Sequence, residues 1–169
     1  MLEKLGLEKN WIYEVLMETE NVDGLPHLAP MGIWTEDFDF VLADVYNESK
    51  TYENLMISKK GKIYFVEDPK FFVENDEVPW CARLDFKVAR TECKDPCRFY
   101  LNILDSEIKK QPELINRAKS LFTEFLIDYT RRSNEDARAR LDHYMMALSR
   151  VAPGSEYEKL IREMYENKD

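Results

Sequence analysis

The feature that most constrains this chain is a change of period near Gln111-Pro112. Upstream, apolar residues recur mostly at the two-residue spacing of strands. Downstream, they recur at helical spacing. The upstream part therefore predicts a sheet closed on itself, and the downstream part predicts helices. With 169 residues, 44% of them hydrophobic, the chain can bury a core without disulfides or metals.

Six strands are expected upstream. Residues 11–19 are rich in β-branched, aromatic and apolar side chains and stop at Asn21-Val22-Asp23-Gly24, where Asp-Gly is a strong turn signal. Residues 27–34 form the second strand. Pro30 inside it cannot donate a ladder bond, so an edge or a bulge is expected there, and Gly32 suits a close approach of backbone or ligand. Glu36-Asp37 turns the chain into a third strand over 38–45. Residues 49–58 break the pattern as a short helix, with Ser49 or Thr51 as its cap and Lys59-Lys60-Gly61 closing it. Strand four covers 62–67 and ends at Asp68-Pro69. Residues 70–79 read as a loop or a poor helix. A long strand over 80–93 pairs with one over 97–104 across Lys94-Asp95-Pro96. Six strands with short connections make, most simply, a small antiparallel barrel.

Downstream, Leu114, Ile115, Ala118, Leu121, Phe122, Phe125, Leu126 and Tyr129 form one apolar stripe. Ser133 or Asn134 starts a second helix, with Met145-Met146 read as core. Ser155-x-x-Glu158 is a capping box for a third. The domain expectation is a barrel over 1–110 and a helical subdomain over 111–169.

Composition excludes several classes. A formal net charge of −9, with no basic run, argues against nucleic-acid binding. No stretch of 18 apolar residues crosses a membrane, and the charged first residues do not form a signal peptide. The three cysteines, Cys81, Cys93 and Cys97, are an odd number without a secretory signal, which implies a reducing, cytoplasmic setting. Cys93-x-x-x-Cys97 has near-metal spacing but lacks a second ligand pair. It is read as two thiols flanking a turn, and no metal is expected. His27 and His143 give no triad, and no carboxylate pair stands out for acid–base work, so no catalytic residue is named.

Two segments carry chemistry. Ser49-Lys50-Thr51, at a helix N-terminus, combines free backbone N–H groups, hydroxyls and one full positive charge, which suits a phosphate. A plain capped helix is the blander alternative, and Glu48 and Glu53 oppose an anion. Residues 26–34, with Pro30 and Gly32, suit an irregular edge whose free amides and carbonyls meet the polar rim of a flat aromatic ligand such as an isoalloxazine, with Met31 or Trp34 against its faces. An ordinary bulged strand is the alternative.

Taken in order, Trp11-Ile12-Tyr13-Glu14, the Gly-x-Pro-x-Ala-Pro-Met-Gly-x-Trp element from Gly24 to Trp34, Thr51-Tyr52-x-Asn54-Leu55 and Asp68-Pro69 resemble the FMN-binding split-barrel superfamily, and within it the mostly archaeal DUF447 family of flavin-binding proteins. The resemblance spans nearly the whole chain. It implies a six-stranded antiparallel split β-barrel with a C-terminal helical layer. It further implies a homodimer with FMN in the subunit interface, and a flavin-dependent oxidoreductase or a flavin carrier, with NAD(P)H or another donor supplying electrons; outside the resemblance, the alternative is an interaction module that uses the helical tail and binds no flavin. By position, Ser49, Lys50 and Thr51 match the phosphate turn, and Asn54 matches a support for ribityl chain or phosphate. Met31, Gly32 and Ile33 match the strand beside the ring, and Val66 and Glu67 approach it from the other side. Superfamily members often carry an arginine at the turn or on the strand before it. Here Asp44 precedes the turn, and Lys50 is its strong cation. A second departure is the Glu74-Asn75-Asp76-Glu77 run after Asp68-Pro69.

Overall fold

The computed structural model describes residues 2–72 and 79–166, so the Glu74-Asn75-Asp76-Glu77 run lies outside the described residues. The elements are β1 (Tyr13–Glu20), β2 (Pro26–Trp34), β3 (Val41–Val45), α1 (Lys50–Ser58), β4 (Lys60–Val66), β5 (Trp80–Glu92), β6 (Cys97–Ile108), α2 (Ala118–Thr130), α3 (Glu135–Val151) and α4 (Glu156–Glu166), with short 3-10 turns at Leu2–Leu5 and Pro69–Phe72. The strands close into an antiparallel barrel in the order β1-β2-β3-β6-β5-β4. Contacts divide the chain into two compact units: Met1–Lys9 with Tyr13–Ile115, and Asn10–Ile12 with Asn116–Asp169.

Alternation fills the barrel. Val15, Met17, Ile33, Ile63, Leu84, Phe86, Phe99 and Leu101 are buried inside it. Each such side chain stabilises the fold by roughly 1.5–3 kcal/mol on leaving water. Pro30 sits opposite Leu16 in the regular β1–β2 ladder, while β2 meets β3 only at Ile33 and Trp34. The stretch Pro26–Gly32 is thus paired on one side and open on the other, which is how a closed barrel accommodates a residue with no N–H.

Several strand ends differ from the sequence expectation. β1 starts at Tyr13, because Trp11 and Ile12 pack into the helical unit's core. β3 starts at Val41: Phe38 takes a left-handed φ of 69°, and its amide donates to Thr35 Oγ1, extending the turn. Lys59 caps α1 in the left-handed region, which lets β4 begin at Lys60 and puts Gly61 inside the strand. β6 runs on to Ile108 because β5 offers partners as far as Ala82.

In the helical unit, Phe125, Leu141, Leu148, Val151 and Ile161 form the core. Leu114 and Ile115 continue the helical apolar spacing but lie outside α2. The Ile115 carbonyl accepts from the Glu14 amide, and Asn116 Oδ1 takes the Ala118 amide at 2.7 Å, so α2 starts only at Ala118. Asn134 caps α3 through the amides of Asp136 and Ala137. Met145 packs against the core, whereas Met146 is exposed, correcting its assignment to the core. No helix among the described residues is long and apolar enough to cross a membrane.

Candidate functional site

The turn between β3 and α1 is built by local hydrogen bonds. The Tyr46 carbonyl accepts from both the amide and the hydroxyl of Ser49, at 3.0 and 2.8 Å. Ser49 is extended (φ −85°, ψ 149°), and its Oγ accepts from the Tyr52 amide at 3.2 Å. Ser49, not Thr51, is therefore the cap, and the Thr51 side chain is buried. The Glu53 amide makes the first helical bond, to the Ser49 carbonyl. The amides of Lys50 and Thr51 remain as first-turn donors without a partner among the described residues, at the positive end of the helix dipole. Asn47 ties the turn to the β5–β6 hairpin, its side-chain amide donating to the Lys94 carbonyl at 3.0 Å.

Charge at this corner is arranged in pairs. Lys50 Nζ lies 2.9 Å from Glu53 Oε2, with both side chains about half exposed. Such a surface pair contributes at most about 1 kcal/mol and yields readily to a stronger anion. Replacing Glu53 with Gln frees Lys50 and is expected to raise affinity for inorganic phosphate about threefold, measured by titration calorimetry. The sequence reading missed Arg98. The register sets Asp44 opposite Arg98, and the guanidinium grips both carboxylate oxygens at 2.9 and 3.1 Å while lying 4.9 Å from the Trp34 ring centroid. The acidic residue before the turn is thereby neutralised, and a second cation stands on the strand next to it. The signal was long-range, since 54 residues separate the partners.

The remaining expected residues fall into three groups. Asn54 is buried and turned inward: its Nδ2 donates to Thr19 Oγ1 at 3.0 Å and Asn21 Oδ1 at 2.9 Å, anchoring α1 to β1 and the turn after it. Met31 and Gly32 are half-buried on the open flank of β2, whereas the Ile33 side chain is fully buried in the barrel and its backbone is paired on both sides. Val66 is buried at the end of β4, and Glu67 beyond it pairs with Lys110. β1 runs between β2 and β4, so Val66 lies two strands from Met31. The structure thus joins the Ser49–Thr51 turn to the strand end beside β2's open flank. It sets Val66 and Glu67 apart from that flank.

A separate cleft of about 340 Å³ is lined by Glu18, Gly61, Lys62, Asp85, Phe86 and Leu104, among others. Beside it Glu18 accepts from Lys62 Nζ at 2.8 Å and from the Tyr64 hydroxyl at 2.9 Å. Burial, with the Glu18 carboxylate, pushes the Tyr64 phenol up to about 12. None of the residues expected at the phosphate or ring lines this cleft.

Comparison with known proteins gives the same outline. Residues 13–76 match the family model "Protein of unknown function (DUF447) N-terminal domain". An FMN-bound protein from Methanosarcina mazei, MM1853, is 22% identical over 98% of this chain and 99% of its own, with a TM-score of 0.57. The styrene monooxygenase flavin reductase of Pseudomonas putida S12 is 14% identical, covering 60% of this chain and 83% of its own at a TM-score of 0.50. A flavoredoxin from Methanosarcina acetivorans is also 14% identical, covering 59% and 70% at a TM-score of 0.50. Among curated proteins, none matches the sequence. Residues 13–76 thus match the DUF447 N-terminal model, and the barrel they help to build has the same fold as the split barrels of these flavin-binding proteins.

Proposed function

We propose that this protein binds FMN, with the phosphate on the first turn of α1 and the ring along the open flank of β2, and works as a flavin-dependent oxidoreductase. The observation that carries the reading is the pair of unpartnered amides at Lys50 and Thr51, beside a lysine held only by a surface ion pair. A dianionic phosphate takes both amides and draws Lys50 from Glu53. Ser49 keeps the turn extended, and Arg98 keeps Asp44 from repelling the anion. At Pro26–Gly32, unpaired backbone groups meet the rim of the flavin, and Met31 offers an apolar contact. The FMN-bound state of MM1853, similar along nearly its whole length, supports the same ligand.

FMN when bound supplies the hydride or electron chemistry, and the protein supplies binding, orientation and access. Met31, Gly32 and Ile33 carry no titratable group, so these three residues would act by contact and position. The donor in this reading is NAD(P)H or a comparable reductant. Exposed Val22, Leu25, Met56 and Ile57, on the β1–β2 turn and α1, support a homodimer.

Lys50→Pro tests the phosphate assignment. Position 50 is the first helical residue, where proline is well accepted, and Ser49 already has the extended conformation that a following proline demands. The variant loses one amide and the cation but keeps the helix. FMN affinity is expected to fall at least tenfold, or about 1.4 kcal/mol, while riboflavin, which lacks the phosphate, binds both proteins equally. A folded Lys50→Pro protein with unchanged FMN affinity overturns the assignment. NAD(P)H oxidation by the FMN-loaded protein with an electron acceptor separates an enzyme from a carrier.

A further inference from the structure

The tip of the β5–β6 hairpin carries chemistry that the flavin reading leaves unused. Thr91 pairs with Phe99, and Glu92 with Arg98, so the next position in the register sets Cys93 opposite Cys97. Side chains directly opposed across antiparallel strands have Cβ atoms about 4.5–5.5 Å apart, close to the roughly 3.5–4.5 Å of a disulfide. The two sulfurs already touch: Cys97 Sγ is 3.0 Å from Cys93 Sγ. Access is asymmetric, because Cys93 is exposed and Cys97 fully buried. Two thiols fall short of a zinc site, and no group of three metal-ligating side chains occurs among the described residues.

We propose that Cys93 and Cys97 form a redox-active dithiol that exchanges with small disulfides and closes to an intramolecular Cys93–Cys97 bond. The exposed Cys93 thiolate attacks one sulfur of the oxidant. The oxidant's S–S bond breaks, and its first half leaves as a thiol with the Cys93 proton. Cys97 then attacks the Cys93 sulfur of this mixed disulfide and expels the second half, which takes the Cys97 proton. One disulfide is reduced to two thiols, and two protein thiols are oxidised to one disulfide. The environment sorts these roles. Hydrogen bonds from Cys97 and Thr91, with Lys59 nearby, lower the Cys93 thiol below its ordinary value, which favours attack. Burial, together with Cys93, pushes Cys97 up to about 12, which keeps it protonated while Cys93 reacts. Cys81 is buried on β5 with its thiol also raised by burial, and serves as an unreactive internal reference.

The experiment exposes the reduced full-length protein to oxidised glutathione, quenches with iodoacetamide under denaturing conditions and measures the intact mass. The number of alkylated cysteines is expected to fall from three to one, with a linked peptide spanning 93–97, and dithiothreitol restores all three. In Cys97→Ser the reaction stops with glutathione on Cys93. Three alkylated cysteines after treatment, or a stable glutathione adduct on wild-type Cys93 with Cys97 still alkylated, overturns the proposal. The wild-type result requires no variant to fold, and it is independent of whether FMN binds.

Discussion

Replacing Gly61 with alanine is expected to destabilise the barrel by about 2–3 kcal/mol, because the new methyl lands on the backbone of the neighbouring strand and on a buried ring. A Cβ at this position falls 2.5 Å from the Glu18 carbonyl oxygen and 2.7 Å from Phe86 Cζ. The first contact is with the backbone of β1, which pairs with β4 through Glu18 and Lys62 and cannot move without breaking that ladder. The second is with a ring only 1% exposed, packed in the barrel core. Neither neighbour is the free end of a flexible chain, so the strain remains in the fold. For a chain of this size the loss corresponds to a fall in Tm of roughly 5–10 °C. The same shift spreads β1 from β4 and disturbs the bonds from Lys62 and Tyr64 to Glu18, so the Tyr64 phenol should titrate below its wild-type value. Thermal unfolding and an ultraviolet titration of tyrosine test both effects. A Gly61→Ala protein as stable as wild type would mean that β1 and β4 are further apart than described.

The sheet was legible in the sequence wherever one face of a strand is buried, because alternation then records which way each side chain points. Strand ends were less legible, since a partner in space sets them. The end of β6, at Asp105-Ser106-Glu107, is polar in sequence and is a strand only because β5 lies beside it. Trp11 and Ile12 look like the start of β1, yet the apolar surface of the helices claims them. Of the candidate site, the turn was readable because its parts are local: cap, lysine and helix start all lie within a few residues. Arg98 and the opposition of Cys93 to Cys97 were not, because both depend on the β3–β6 and β5–β6 registers. Pro30 shows a local signal with a non-local meaning. Its missing N–H announced an irregular flank, but only the barrel shows that β3 turns away and leaves that flank open.

Acid should weaken the helical unit through one carboxylate, that of Glu158. It lies at the start of α4, is 9% exposed, and receives three kinds of donor. The Gly154 amide reaches Oε2 at 2.6 Å, and Arg162 reaches Oε1 at 2.7 Å. The Glu158 amide in turn donates to Ser155 Oγ at 3.2 Å. The capping box read from the sequence is thus changed in one respect: the glutamate takes the amide of Gly154, whose left-handed φ of 73° turns it toward the carboxylate. The Ser149 hydroxyl, then Arg162 and the Gly154 amide, outweigh burial and hold the carboxyl down to about 2, against 4.5 for an ordinary glutamate. Because the folded value lies below the unfolded one, the unfolded chain takes up the proton first as pH falls. Glu158 therefore contributes its full stabilisation above pH 4.5 and loses it progressively as pH falls toward 2. The difference amounts to on the order of 3 kcal/mol. Glu158→Gln keeps the shape but not the charge. It should unfold at lower urea near neutral pH and lack this part of the acid dependence, so the gap to wild type narrows between pH 4.5 and pH 2. Urea unfolding followed by far-ultraviolet circular dichroism at several pH values measures the gap directly. A gap that stays constant across the range would mean that Glu158 titrates alike in the folded and unfolded chain, and that α4 is held by its apolar face alone.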